Sequence, residues 1–179
     1  MKYLTKEDYV EKIKKLNNKY WNKDKDCKKR WKYISFVVEE LKIIQPTTVL
    51  ELGANKINLT SASDNMGLDL KDVDVDNLMN KVFIQDATKL PYLIEDKYYD
   101  CFVGLQVFEH LGKFQSEVFK EIKRVSKNAI LSFPYKWNCP GNIHYGIDEE
   151  VIKGWTNGEI PTKIQIVTPP RIVYVFNFM

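Results

Sequence analysis

The sequence predicts an α/β fold, a Rossmann-like and mostly parallel sheet with helices on both faces and an antiparallel hairpin at its C-terminal edge. From position 47 to about 135, short apolar segments alternate with amphipathic ones, a pattern typical of parallel strands joined by helices. Two further strand-like segments, KIQIV and RIVYVFNF, close the chain, and such a pair makes a parallel sheet mixed. Residues 1–46 carry helical patterns only and are expected to form a helical cap on the α/β core 47–179.

Two helices are predicted before Pro46. The first runs from Thr5 to about Trp21, and Thr5 with Asp8 resembles a capping pair. The second runs from about Lys28 to Ile44 and ends because a proline disfavours helical backbone in the residue before it. These helices are expected either to pack on the core or to close over a ligand as a lid.

Five strands are predicted in the core, with the sequences TVLEL, NMGLDL, VFIQD, DCFVGLQ and NAILSFP. The connection between the first two has only about a dozen residues, near the lower limit for parallel strands. Its helix is therefore predicted to shrink to a turn or two, with a loop in SASDN. An amphipathic helix, FQSEVFKEIKRVS, precedes the fifth strand, and a short helix capped by Asp148 follows it.

Length and composition indicate one globular domain spanning residues 1–179. The formal charge of +3, from 27 basic and 24 acidic residues, is too small to indicate a nucleic-acid partner. No apolar run is long enough to cross a bilayer, and the N-terminus lacks the apolar core of a signal peptide. Three widely spaced cysteines indicate reduced thiols. A cytoplasmic location without a membrane partner is expected, and the oligomeric state stays open.

The residues that follow successive strands form a series of candidate ligand contacts. In open α/β sheets, ligands bind at the carboxyl ends of the strands. Glu51 and Gly53 follow the first strand, and Gly53 lets a ligand approach the backbone closely. Asp69, 16 positions after Gly53, is placed to accept hydrogen bonds from a ribose diol. Asp86 follows the third strand and can accept from an adenine amino group.

Taken in order, these motifs resemble the class I S-adenosylmethionine-dependent methyltransferases. VLELGA is similar to the first motif of that family, GLDL to its second-strand acid and QDATKLPY to its third-strand segment. The stretch from YYDCF to LSFPY is similar to its fourth strand, E-H pair, helix and fifth strand. The resemblance spans about Thr47 to Tyr135 and implies S-adenosyl-L-methionine as the cofactor. It implies cofactor contacts by Glu51, Gly53, Ala54 and Asn55 near the methionine end, Asp69 and Leu70 at the ribose, Asp86 and Ala87 at the adenine, and Gln106 beside the sulfonium.

One departure from the family pattern leaves alternatives open. Asn55 stands where the family has the second glycine of G-x-G, and asparagine tolerates left-handed backbone better than most residues, so the turn is expected to survive. The alternative is a non-catalytic binding or scaffold protein on a methyltransferase fold, since fold does not imply function. A nicotinamide-dependent oxidoreductase is disfavoured because the chain lacks the G-x-G-x-x-G that pyrophosphate requires.

The two histidines of the chain, His110 and His144, both fall near the predicted site. Each is a candidate base or substrate contact, and each has a structural alternative, as part of the E-H pair or as a loop histidine bonded to the backbone. The segment Tyr135 to Trp155 is expected to cover a small or medium-sized acceptor such as a sugar, a sugar nucleotide or another metabolite. No metal site is predicted, because LKDVDVDN lacks the glycine and terminal glutamate of a calcium loop.

Overall fold

The structure is a computed structural model that describes residues 1–16, 24–71, 73–74, 80–167 and 170–179, with the backbone alone for 24–28. Within these ranges the strands are β1 (Val49–Leu52), β2 (Ser63–Gly67), β3 (Val82–Ile84), β4 (Tyr99–Leu105), β5 (Ser126–Pro134), β6 (Lys163–Val167) and β7 (Arg171–Asn177). The helices are α1 (Lys6–Leu16), α2 (Asp24–Ile44), α3 (Gln115–Val125) and α4 (Glu149–Trp155).

The strands form one sheet in the order β3-β2-β1-β4-β5-β7-β6. Strands β1 to β5 are parallel, whereas β7 lies antiparallel between β5 and β6. This confirms the predicted mostly parallel sheet with an antiparallel edge. Strand β1 has β2 on one side and β4 on the other, so the strand order reverses there. That reversal opens a crevice at the carboxyl end of β1.

Helices cover both faces of the sheet, as predicted. Helices α1 and α2 pack through Tyr9, Ile34, Val37 and Leu41 into one buried apolar cluster with β1, β4 and β7. On the opposite face α3 and α4 bury their apolar side chains in a second cluster with β4, β5 and β7. These two apolar layers fix the strand ends that carry the candidate site.

The connection from β1 to β2 differs from the prediction. Residues 53–62 contain no helix, and β2 begins at Ser63, so SASDN is partly strand rather than loop. The reason is that buried carboxylates bind the extended backbone: Glu51 accepts from the Leu59 N–H at 2.7 Å, and Asp74 accepts from the Asn58 N–H at 3.1 Å. Ile57 and Leu59 are buried against the α1/α2 layer, which is where a crossover helix would otherwise pack.

Helix capping agrees with the sequence where the structure describes it. The Thr5 hydroxyl accepts from the Asp8 N–H at 3.1 Å, and the Asp148 carboxylate accepts from the Val151 N–H at 3.0 Å. The predicted end of the first helix at Trp21, part of the acidic run 71–78 and Pro169 of the hairpin turn lie outside the described residues. No helix among the described residues is long and apolar enough to span a bilayer.

Candidate functional site

Two adjoining cavities lie at the carboxyl ends of β1 to β4. The first, which we call the strand groove, has a volume of about 280 Å³ and runs past Gly67, Asp86 and Ala87. The second, the helix-side cavity, has a volume of about 210 Å³ and lies between the sheet edge and helices α1 and α2. Residues that line both cavities are Leu52, Gly53, Asn55, Leu105, Gln106 and His110. One ligand can therefore extend from the groove into the cavity.

The turn after β1 has left-handed backbone at three positions, Gly53, Asn55 and Lys56. Gly53 has a φ of 66° and Asn55 a φ of 49°, so Asn55 adopts the conformation that its place in the motif predicted. A Cβ at Gly53 would lie 3.3 Å from the Val107 side chain, and φ in this range is costly for residues other than glycine and asparagine. Gly53 therefore keeps the wall of the groove open.

Glu51 is a buried acid at the end of β1 that lines the helix-side cavity. Burial raises the pKa of its carboxyl to about 7, although hydrogen bonds from Ser63 and Leu59 favour the charged form. Its carboxylate therefore bonds the turn backbone and also borders the ligand space. Ala54, which follows Gly53, lines the same cavity.

The loops after β3 and β4 supply the far wall of the strand groove. The Asp86 carboxylate accepts from the Thr88 N–H and hydroxyl, each at 2.8 Å, and these bonds lower the pKa of Asp86. Gln106 has a φ of 58° and donates from its amide to the Ser132 hydroxyl at 3.1 Å. Such strain at a non-glycine residue is typical of ligand sites, and Gln106 lies where the two cavities meet.

Two predicted contacts lie outside both cavities. Strand β2 ends at Gly67, so Asp69 and Leu70 belong to the turn beyond it rather than to the strand end. The Asp69 carboxylate binds Lys71, accepting from its N–H at 2.8 Å and lying 2.8 Å from its ammonium. Leu70 is largely exposed to solvent. A ribose-binding role for these two residues stays a prediction.

His110 and His144 come together with Glu109 at the mouth of the helix-side cavity. Glu109 and His110 lie on a 3₁₀ turn, Phe108–His110, directly after β4, and His144 comes from the loop after β5. The His144 Nε2 lies 3.6 Å from a Glu109 carboxylate oxygen, and the two imidazole rings are 5.9 Å apart. Trp137 packs edge-on against His144 at 5.0 Å, which fixes the loop above the cavity.

Burial controls the charges of this cluster. It raises the pKa of Glu109 to about 7, with the Arg171 guanidinium acting in the opposite sense. It also lowers the pKa values of His110 and His144, and for His144 the charges of His110 and Arg171 lower the pKa further. Both imidazoles are therefore neutral at pH 7, the form that accepts a proton or binds a metal.

Comparison with solved structures identifies the fold. An S-adenosylmethionine-dependent methyltransferase from Aquifex aeolicus is 16% identical with a TM-score of 0.60, covering 94% of this chain and 98% of its own. Magnesium protoporphyrin IX methyltransferase from Synechocystis, solved with bound S-adenosylmethionine, is 16% identical with a TM-score of 0.59, covering 83% and 79%. The methyltransferase domain of bacterial CtHen1 is 16% identical with a TM-score of 0.61, covering 83% and 98%. Neither a family model nor a curated protein sequence matches.

The chain has the class I methyltransferase fold. On this methyltransferase fold the strand groove lies at the carboxyl ends of the parallel strands, beside the reversal of strand order at β1. That is the general ligand position for open α/β sheets. The predicted residues Glu51, Gly53, Ala54, Asn55, Asp86, Ala87, Gln106, His110 and His144 all line one or both cavities of this methyltransferase fold.

Several residues at this site were not predicted from the sequence. Glu109 was read only as part of the E-H pair, although its side chain is fully buried beside the cavity. Arg30 from α2 and Arg171 from β7 also line the helix-side cavity, as does Tyr33. No local signal marks them, because they reach the cavity only through the packing of α2 and the antiparallel insertion of β7.

Proposed function

We propose that this protein is an S-adenosylmethionine-dependent methyltransferase that acts on a small or medium-sized acceptor. The observation that carries the proposal is the continuity of the two cavities past Gly53, Gln106 and His110. A cofactor in the strand groove would present its sulfonium beside Gln106. An acceptor in the helix-side cavity would then meet it next to His110 and His144.

The groove offers contacts suited to a nucleoside. Gly67, Asp86 and Ala87 would hold the adenine and ribose side, while Gly53 and Asn55 would give the methionine end access to backbone. Glu51 in the adjoining cavity is a candidate partner for the cofactor's ammonium group. Asp69 would reach a ribose only after its carboxylate leaves Lys71, so its contribution requires a separate test.

Methyl transfer from a sulfonium is an in-line displacement, and correct positioning supplies most of its rate. A base is needed only when the acceptor must lose a proton. His144 or His110, neutral at pH 7, is a candidate for that base. Arg30 and Arg171 line the same cavity, and their charges favour an acceptor that carries a phosphate or carboxylate, such as a sugar nucleotide.

The scaffold alternative rested on the altered glycine turn. Asn55 nevertheless adopts left-handed backbone, and the groove beside it is open. A methyltransferase also has no pyrophosphate for the turn to bind, so the missing glycines are less important than in a dinucleotide enzyme. These observations favour the catalytic proposal over the scaffold.

The proposal is tested by incubating the protein with methyl-labelled S-adenosylmethionine and one acceptor pool at a time. The pools are sugar nucleotides, sugar phosphates, neutral sugars and carboxylated metabolites. We expect S-adenosylhomocysteine to form with at least one anionic pool and to fall in the Arg171→Gln variant. Glu150→Gln serves as a control, because Glu150 is exposed on α4. Cofactor binding without turnover on any pool would favour the scaffold function instead.

A further inference from the structure

The cluster of Glu109, His110 and His144 has the composition of a metal site. One nitrogen or oxygen from each side chain lies within 4.8 Å of the others. Zinc binds nitrogen and oxygen at about 2.0–2.2 Å in tetrahedral geometry, so two ligand atoms of one ion lie about 3.3–3.6 Å apart. Binding an ion would therefore require the His144 side chain, which is 26% exposed, to turn toward Glu109 and His110.

The buried carboxylate lacks the partners that a structural role would require. Among the described residues, neither oxygen of Glu109 accepts a hydrogen bond, and the buried Nδ1 of His144 has no hydrogen-bond partner either. The side chain of Glu109 is 0% exposed. Burying a carboxylate without hydrogen bonds is unfavourable. A bound cation would remove that penalty directly.

We propose that Glu109, His110 and His144 bind a divalent transition-metal ion at the mouth of the helix-side cavity. Two imidazoles and one carboxylate favour ions such as Zn²⁺ or Mn²⁺ over Mg²⁺ and Ca²⁺, which prefer oxygen ligands alone. Three protein ligands leave coordination positions open, as in catalytic rather than structural zinc sites. The cavity beside the cluster gives a further ligand access to those positions.

The charge of Arg171 opposes the cation. Arg171 acts electrostatically on both Glu109 and His144, and its guanidinium stacks over Trp137 at 4.4 Å. Its positive charge repels a divalent ion, so removing that charge should strengthen metal binding. This effect separates a metal site from a simple Glu109–Arg171 ion pair, in which the loss of Arg171 would only weaken the cluster.

The ion's role in catalysis rests on the proposed function, whereas the site itself does not. An acceptor hydroxyl bound at an open position would lose its proton to water more readily. His110 and His144 would then be metal ligands, in place of the base that the proposed function considers. Its oxygen lone pair would form the bond to the methyl carbon, and the electron pair of the broken carbon–sulfur bond would stay on sulfur. Because His110 also lines the strand groove, such a hydroxyl would lie near the cofactor's methyl group.

Metal binding is tested on chelator-treated protein without cofactor, by competing Zn²⁺ and Mn²⁺ separately against a metal indicator. Cys139 is partly exposed, so the titration uses a Cys27→Ser, Cys139→Ser background. We expect one ion per chain and an affinity loss of at least roughly 100-fold in Glu109→Gln, because losing even an outer-shell partner of a metal ligand costs about 10- to 100-fold. Arg171→Gln should tighten binding, and the exposed control Glu150→Gln should leave it unchanged.

Circular dichroism checks that Glu109→Gln is folded, and His144→Gln gives an independent second variant if it is not. Absence of stoichiometric binding, or binding that survives both variants, overturns the metal site and leaves only the 3.6 Å charge contact between Glu109 and His144. S-adenosylhomocysteine binding is measured on the same metal-free protein. If the protein binds S-adenosylhomocysteine but no metal ion, this inference alone is refuted. If it binds the metal ion but not S-adenosylhomocysteine, only the proposed function is refuted.

Discussion

Glu51 makes the stability of the protein depend on pH in a defined direction. Burial raises its pKa from 4.5 to about 7 in the folded state. Between these two values the folded protein holds a proton on Glu51 that the unfolded chain has released. Stability therefore falls as the pH rises through this window, and the loss is complete above pH 7. This difference between the two pKa values corresponds to roughly 3 kcal/mol of unfolding free energy, most of which is lost between pH 5 and pH 8.

The Glu51→Gln variant isolates this contribution, because glutamine keeps an oxygen that can accept from the Leu59 N–H but does not titrate. Urea unfolding of wild-type and variant protein at pH 5 and pH 8, with chelator present, gives the free energies. We expect the variant to gain about 2 to 3 kcal/mol over the wild type between pH 5 and pH 8. Comparing variant with wild type at both pH values cancels the contributions of the other titrating groups. The Glu150→Gln control should show no such pH-dependent gain in the free energy of unfolding. A change below about 0.5 kcal/mol, or of opposite sign, would refute the assignment.

Three further substitutions test the frame around the site. Arg124 donates to Glu121, Asp96 and the carbonyls of Tyr92 and Ile94. Arg124→Met should therefore lower the free energy of unfolding by roughly 2–3 kcal/mol. A loss under about 1 kcal/mol would show that solvent screens the network. Gly53→Ala forces alanine into left-handed backbone against Val107. It should lower the free energy of unfolding by roughly 1–2 kcal/mol and also weaken cofactor binding. Unchanged cofactor affinity in calorimetry would contradict this prediction. Asp148→Ala removes the cap of α4 and should cost about 1 kcal/mol in thermal or urea unfolding, whereas no loss would mean that another group caps the helix.

The sequence predicted the sheet and much of the groove because those signals are local. Apolar segments marked the strands, and Gly53, Asp86 and Gln106 each come within two residues of a strand end. The prediction for the connection from β1 to β2 was wrong because its extended backbone depends on buried acids such as Glu51. The Glu51 carboxylate accepts a hydrogen bond from Leu59, eight positions along the chain. Arg171 reaches the site only through tertiary packing. Such long-range contacts leave no periodic pattern in the sequence.

The central claim is that the strand groove binds S-adenosylmethionine. Titration calorimetry of purified protein with S-adenosylmethionine and S-adenosylhomocysteine, with NAD as the control ligand, tests it most directly. We expect both sulfur ligands to bind with micromolar affinity and NAD to bind far more weakly. Asp69→Ala should weaken S-adenosylhomocysteine about ten- to a hundredfold if its carboxylate leaves Lys71 for the ribose. No heat of binding at millimolar S-adenosylhomocysteine would contradict the account and leave a methyltransferase fold without its cofactor.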